Sequence, residues 1–291
     1  MSVPASGDLG IVLITGAGGQ VGTRLRRHLP SHGWRLRLLD RRPIPDADPA
    51  ECLVGSVLDE EVLAEAVRGV CAIVHLAGIP GEAPWPDLLE NNVDATFRVF
   101  EAARRASVQR VVFASTNHVI GFADREQMTD PSAPVRPDSF YAATKAFGEA
   151  LARFYADEYG MEMACIRLGS CVERPTIAGH LATWLSARDE AALVNACLTA
   201  PDLHFATVFG ISGNTRARWD LASARRLGYR PRDNAEDYAH ELLDAARRDV
   251  RVAHQPSGFR RARQELGLGP VPRSSSAEPP SGDSGVPGCR S

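Results

Sequence analysis

With 291 residues, 44% of them apolar and 24% charged, the chain can bury a sizeable core and has the composition of an ordinary globular protein. Lys and Arg number 33 against 36 Asp and Glu, a formal net charge of −3, which gives no electrostatic reason to expect nucleic acid or an anionic membrane as a partner. The arginines are interleaved with acidic residues rather than clustered, as on solvated helix faces. Met1 to Asp8 carries no basic segment followed by an apolar core, so no signal peptide is expected. The apolar runs are strand-sized and too short to span a bilayer. Six cysteines (Cys52, Cys71, Cys165, Cys171, Cys197, Cys289) show neither a CxxC nor metal-ligand spacing. A reducing cytoplasm and no metal are the expectation.

In chain order, residues 11–14, 36–39, 72–76 and 111–114 read as buried strands, and residues 21–29, 62–67 and 88–105 between them have helical periodicity with charged outer positions. Near-continuous apolar strands alternating with helices predict an α/β fold with a parallel, doubly wound sheet. A long helix over 141–159, stopped by Gly160, leads to a strand at 164–168. From Gly169 onward the alternation weakens. Short helices are expected at 181–187, 190–199, 223–227 and 234–248, with one strand at 206–209, as a smaller lobe at the carboxyl edge of the sheet. From about Gly267 the composition turns to Pro, Ser and Gly, and residues 267–291 are expected to be a disordered tail.

The first chemical motif is Thr15-Gly16-Ala17-Gly18-Gly19-Gln20-Val21-Gly22, after a strand and opening a helix. Gly16 permits a sharp turn, Gly19 removes a side chain where a pyrophosphate must approach the backbone, and Gly22 allows close helix–strand packing. The helix N-terminus then presents N–H groups and a partial positive charge to phosphates. Asp40 ends the second strand, eighteen positions after Gly22. Its carboxylate can accept the adenosine ribose hydroxyls and repel a 2′-phosphate, which favours NAD, although Arg41 and Arg42 follow and suit the phosphate instead. A single Rossmann-type domain over 1–266 is expected, with the cofactor part at about 9–168 and the substrate lobe at about 169–266.

On the long helix, Tyr141 and Lys145 are four apart and share one face. A free phenol has a pKa of about 10. A neighbouring ammonium and the charge of an oxidised nicotinamide would favour the phenolate and make Tyr141 a general base. Residues 111–118 form a strand ending in Ser115-Thr116-Asn117-His118, where a parallel sheet presents its ligand crevice. Thr116 is suited to hydrogen-bond the reacting oxygen and turn it towards Tyr141, and the polar run suits substrate recognition.

These residues together resemble the extended short-chain dehydrogenase/reductase family, over roughly residues 9–239. The glycine motif, Leu76-Ala77-Gly78, Asn92, the strand-end hydroxyl and the Tyr/Lys pair stand in that family's order. Within it the chain looks most like the uronate dehydrogenases, through Ser115-Thr116-Asn117-His118, Gly169-Ser170-Cys171, Thr183-Trp184 and residues 228–236. The resemblance implies an NAD-dependent oxidoreductase taking hydride from C1 of a cyclic hexuronate to give an aldarolactone, the alternatives being an epimerase, dehydratase or reductase acting on another sugar or natural-product intermediate, or a non-catalytic NAD-binding sensor. Tyr141, Lys145 and Thr116 would be catalytic. The cofactor would meet Gly16, Gly18, Gly19, Gln20, Val21, Gly22, Asp40, Ser56, Val57, Leu76, Ala77, Gly78, Asn92 and Ser115 besides Tyr141 and Lys145, and Asn117, His118 and Ser170 would hold sugar hydroxyls. Three positions depart from the pattern: Ser56 replaces an acidic residue near the adenine, Pro80 replaces a serine, and Gly179 stands where an arginine would hold the substrate carboxylate. Arg174 and His180 on the same loop are the expected substitutes for that cation. The partner implied is a small sugar or sugar acid, with self-association left open.

Overall fold

The computed structural model describes residues 9–45, 51–123, 128–248 and 266. The expected tail and the end of the expected lobe lie outside the described residues. Seven strands, β1 (Ile11–Thr15), β2 (Arg35–Asp40), β3 (Glu51–Val54), β4 (Ala72–His75), β5 (Arg110–Thr116), β6 (Glu162–Leu168) and β7 (Phe205–Gly210), form one sheet in the order β3-β2-β1-β4-β5-β6-β7. Every pairing is parallel. The helices are α1 (Gln20–His28), α2 (Glu60–Ala66), α3 (Trp85–Leu88), α4 (Ala95–Arg105), α5 (Phe140–Tyr159), α6 (His180–Thr183), α7 (Ala187–Thr199), α8 (Ala222–Arg226) and α9 (Ala239–Arg248).

Alternation along each strand divides the apolar side chains between two cores. Val12, Ile14, Leu36 and Leu38 pack with Leu25 of α1 and Leu193 and Cys197 of α7 on one face. Leu13, Leu39, Ile73, Val111 and Phe113 pack with Leu63, Phe100, Ala152 and Tyr155 of α2, α4 and α5 on the other. A sheet covered on both faces is why its strands read as nearly unbroken apolar runs. Strand order reverses between β1 and β4, so the ligand crevice opens beyond their carboxyl ends.

Four expectations need correction. The edge strand β3 was not expected: it pairs with β2 alone, and Cys52 and Val54 are exposed, so it leaves no buried apolar run. The expected helix over 88–105 starts at Trp85 and passes through a π-helical stretch, Leu89–Asp94, before α4. The expected helix over 181–187 stops after Thr183 because Trp184 is extended (φ −62°, ψ 139°) and bridges Ser170. Ser186, whose Oγ accepts from the amide of Asp189, then starts α7 at Ala187. The expected helix over 234–248 opens with a 3₁₀ turn, Ala235–Tyr238, capped by Asn234.

The long helix is placed as its sequence implies. Ser139 caps α5 by accepting from the amide of Ala142 (3.0 Å), and Gly160, with φ +67°, ends it. Its inner face meets β5 so closely that a methyl group on Gly148 would come within 2.3 Å of the Phe113 ring. That ring is itself held by Phe100 and His75, at centroid distances of 5.8 and 5.9 Å. Gly148→Ala should therefore destabilise the protein by about 1–3 kcal/mol, against the ~1 kcal/mol gain in helix propensity that alanine brings. A urea melt showing equal or greater stability would mean that α5 is free to lift from the sheet.

Candidate active site

The turn after β1 forms one end of a long groove. Gly16 has φ +70°, and a methyl group on Gly22 would stand 2.6–2.7 Å from the backbone of Gly16 and Ala17, so α1 can start this close to β1 only without side chains there. Gly19 occupies the N-cap of α1 and supplies no side-chain cap, and no acidic residue sits in the first turn. The helix end is thus left to an anion. Asp40, Arg41, Gly55, Ser56, Val57 and Asn91 line the groove on one side of this turn. Asp40 accepts from the Gly18 amide at Oδ2 (2.9 Å) and the Arg42 amide at Oδ1 (3.1 Å), so the carboxylate also anchors the glycine turn. Arg41 reaches Asn91 Oδ1 at 3.2 Å.

On the other side lie Ser115, Thr116, Asn117, His118, Tyr141, Lys145, Gly169, Ser170 and Cys171. Gln20, Val21, Leu76, Gly78 and Pro80 line both parts, which makes one continuous groove from Asp40 to Tyr141. Gln20 closes its floor by donating to the carbonyl of Cys171 (2.7 Å). The groove fits an extended dinucleotide: a carboxylate at the ribose end, a bare helix N-terminus in the middle and a Tyr/Lys pair at the far end.

Tyr141 is 8% exposed and its phenol is hydrogen-bonded to the Thr116 hydroxyl. Thr116 Oγ1 in turn accepts from the His118 amide and donates to Asn117 Oδ1, both at 3.3 Å. The Nζ of buried Lys145 lies 4.8 Å above the centre of the Phe113 ring. Burial acts against the phenolate that the ammonium and the charge of an oxidised nicotinamide are together expected to favour. Burial pushes Tyr141 up to about 12, with only the Thr116 hydrogen bond pulling the other way. The same burial pushes Lys145 down to about 8.

Several expected contacts also fall elsewhere. Asn92, buried in the π-helical stretch, braces the loop after β4: its Oδ1 accepts from the Ile79 amide (2.7 Å) and its Nδ2 donates to the Ile79 carbonyl and Thr144 Oγ1 (both 3.1 Å). Its side chain is committed to the fold, not to a cofactor. Ser115 lines the groove, but its hydroxyl is engaged in donating to buried Glu149 (2.6 Å). Arg174 is exposed and paired with Glu241 at 2.6 Å, outside the groove's lining. His180 Nδ1 accepts from the Thr176 amide (3.2 Å), which turns it into its own loop. Neither residue is among those that line the groove. Ser170 does line the groove, hydrogen-bonded to Thr183 Oγ1 at 2.7 Å.

A second cavity opens from Asn117 and His118, lined also by Gly121, Asp138, Gly179, Thr183, Arg216 and Arg218. Asp138 holds His118 Nδ1 through both carboxylate oxygens, at 3.0 and 2.9 Å. That fixes the ring and puts its proton on Nδ1 when neutral. Sequence reading missed Asp138, Arg216 and Arg218, since they are 20 to 100 positions from His118 and carry no local motif.

Residues 12–193 match the model of the NAD dependent epimerase/dehydratase family. A uronate dehydrogenase of Pseudomonas syringae pv. tomato is 40% identical over 227 residues, covering 77% of this chain and 82% of its own. An NAD-dependent glucose-6-phosphate dehydrogenase of Haloferax volcanii is 37% identical over 254 residues, covering 79% of this chain and 96% of its own. Among solved structures, a mutant uronate dehydrogenase from Agrobacterium tumefaciens complexed with NAD matches with a TM-score of 0.77 at 38% identity, over 80% of this chain and 89% of that one.

Because Asp40 both faces the ribose end and anchors Gly18, Asp40→Ala should weaken NAD binding by about 1.5–3 kcal/mol, the range for hydrogen bonds to a charged group. NADP should lose less, so the preference for NAD should narrow. Calorimetric titration of the variant with both cofactors checks this, and unchanged NAD affinity would remove Asp40 from the site.

Proposed function

The chain belongs to the NAD dependent epimerase/dehydratase family, and from that premise we propose that it is an NAD-dependent dehydrogenase oxidising C1 of a cyclic hexuronate to the aldarolactone. The observation that supports this most is the Tyr141–Thr116 hydrogen bond at the end of the groove, with Lys145 buried beside it. The relatives named as uronate dehydrogenases support the substrate class.

Bound NAD⁺ supplies the hydride acceptor and a positive charge at the nicotinamide end. Tyr141 takes the proton of the C1 hydroxyl, and Thr116 holds that oxygen at the phenol. Lys145, as an ammonium, favours the phenolate that takes this proton. Asn117, Ser170 and His118, the last fixed by Asp138, hold the sugar hydroxyls, so that most of the catalysis is positioning. The overall balance is one hydride to the cofactor and one proton to Tyr141, hence to solvent, per lactone formed.

Tyr141→Phe should lower kcat by roughly 10²–10⁴, the range for a general acid–base group, with little change in NAD affinity. Since the phenolate is the active form, the activity of the unmodified protein should rise with pH on the acid side. NADH formation from glucuronate, followed by absorbance across pH, checks both. A fully active Phe variant would hand the proton to another group, with His118 the nearest.

A further inference from the structure

A dinucleotide carries the negative charge of its pyrophosphate into a groove whose cofactor end has little to oppose it. The glycine turn and the bare start of α1 offer backbone N–H groups and a partial positive charge. Among the described residues that line this end, Asp40 is the acidic side chain and Arg41 the basic one. Both oxygens of Asp40 are engaged, by the amides of Gly18 and Arg42, and its charge adds to the repulsion that a phosphate meets. Arg41 is the counter-charge.

Sheet order decides where its guanidinium lies. β1 is placed between β2 and β4; Arg41 follows β2, and Asn91 belongs to the π-helical stretch after β4. The bond from Arg41 Nη1 to Asn91 Oδ1 (3.2 Å) therefore spans the turn that follows β1, where α1 begins. Asn91 is itself oriented, because its Nδ2 donates to the Asp87 carbonyl (3.0 Å) and leaves Oδ1 for the guanidinium. One donor of Arg41 is used in this way, and the fork makes no other hydrogen bond or ion pair among the described residues. The side chain thus runs from the ribose end, marked by Asp40, over the phosphate-binding turn. It is exposed, so its remaining donors face water that a ligand in the groove would displace.

We propose that Arg41 is a cofactor-holding residue: presented by Asn91, its guanidinium closes over the glycine turn and binds the pyrophosphate of NAD. Two unlike sets of donors then meet the same anion, backbone N–H groups at the start of α1 and a charged fork above them. A guanidinium suits the task, because its planar fork gives a phosphate two charge-assisted bonds at once. The inference rests on the cofactor site alone and is independent of which sugar is oxidised.

The test is calorimetric titration of the full chain, and of Arg41→Met, Arg41→Lys and Asn91→Ala, with NAD, NADP and ADP-ribose at low and high salt, with Tm measured alongside. Arg41→Met should weaken all three ligands by the same factor, about 10- to 100-fold at low salt. The loss should shrink at high salt, where the charge is screened, and Tm should stay unchanged because the side chain is exposed. Arg41→Lys, which keeps the charge without the fork, should recover part of the loss. Asn91→Ala should lose less than Arg41→Met, since it frees the guanidinium without removing it. Unaltered NAD affinity in Arg41→Met overturns the proposal. A loss confined to NADP assigns Arg41 to the 2′-phosphate, and a loss that salt does not change assigns it to the adenine face; either overturns the proposal. Failure of the unmodified chain to bind NAD overturns the cofactor site together with the proposal. No sugar is present in these titrations, so their outcome is separate from that of the hexuronate reading.

Discussion

A carboxylate taken out of water must be paired, and the pairing of Glu149 with Arg167 ties the catalytic helix to the sheet. The two side chains are 9% and 3% exposed and meet as a fork, with bonds of 2.9 and 2.8 Å. Ser115 adds a third bond to the same carboxylate, and Arg167 spends another N–H on the Pro131 carbonyl. Removing either partner would strand a buried charge, at a cost of about 3–5 kcal/mol. Glu149 lies one turn beyond Lys145 and two beyond Tyr141, on the same face of α5. Ser115 is beside Thr116 on β5, and Arg167 is on β6. The ion pair thus fixes the phenol against the strand-end hydroxyl through rigid elements rather than loops.

Burial that secures this geometry also moves the two catalytic groups the wrong way for catalysis. Tyr141 is raised and Lys145 lowered, both by loss of water. The neighbouring imidazole of His75 does not add charge: burial and Lys145 push it down to about 3, so it stays neutral between Thr15 and Thr96. A phenol near 12 is a poor base at neutral pH. In the proposed mechanism a positive charge entering the groove lowers the phenol again, so that proton abstraction is coupled to occupation of the cofactor end.

Much of this was legible in the sequence wherever a local pattern has one physical meaning. The other six strands announced themselves because both faces of a parallel sheet are buried, and β3 did not because Cys52 and Val54 are exposed and leave no buried apolar run. The glycine turn and the Tyr141/Lys145 spacing were readable because each depends on residues within a few positions. Asn92 was assigned to the cofactor from its place in the family's order. Its real role, bracing Ile79 and Thr144, depends on a π-helical stretch that periodicity does not reveal. Spacing shows that Lys145 is near Tyr141 but not that both groups are buried.

The substrate side shows where position-by-position reading fails. Arg174 and His180 were candidates because they neighbour Gly179 in sequence, yet Arg174 pairs with Glu241 of α9 and His180 accepts from the amide of Thr176 in its own loop. The electrostatic requirement is set by the cavity, not by the loop: a cation on any wall neutralises an acid equally well if it can reach it. Gly179 and Arg218 face the same space from segments 39 positions apart. Loss of an arginine from one wall is therefore no sign that an acidic substrate has been abandoned.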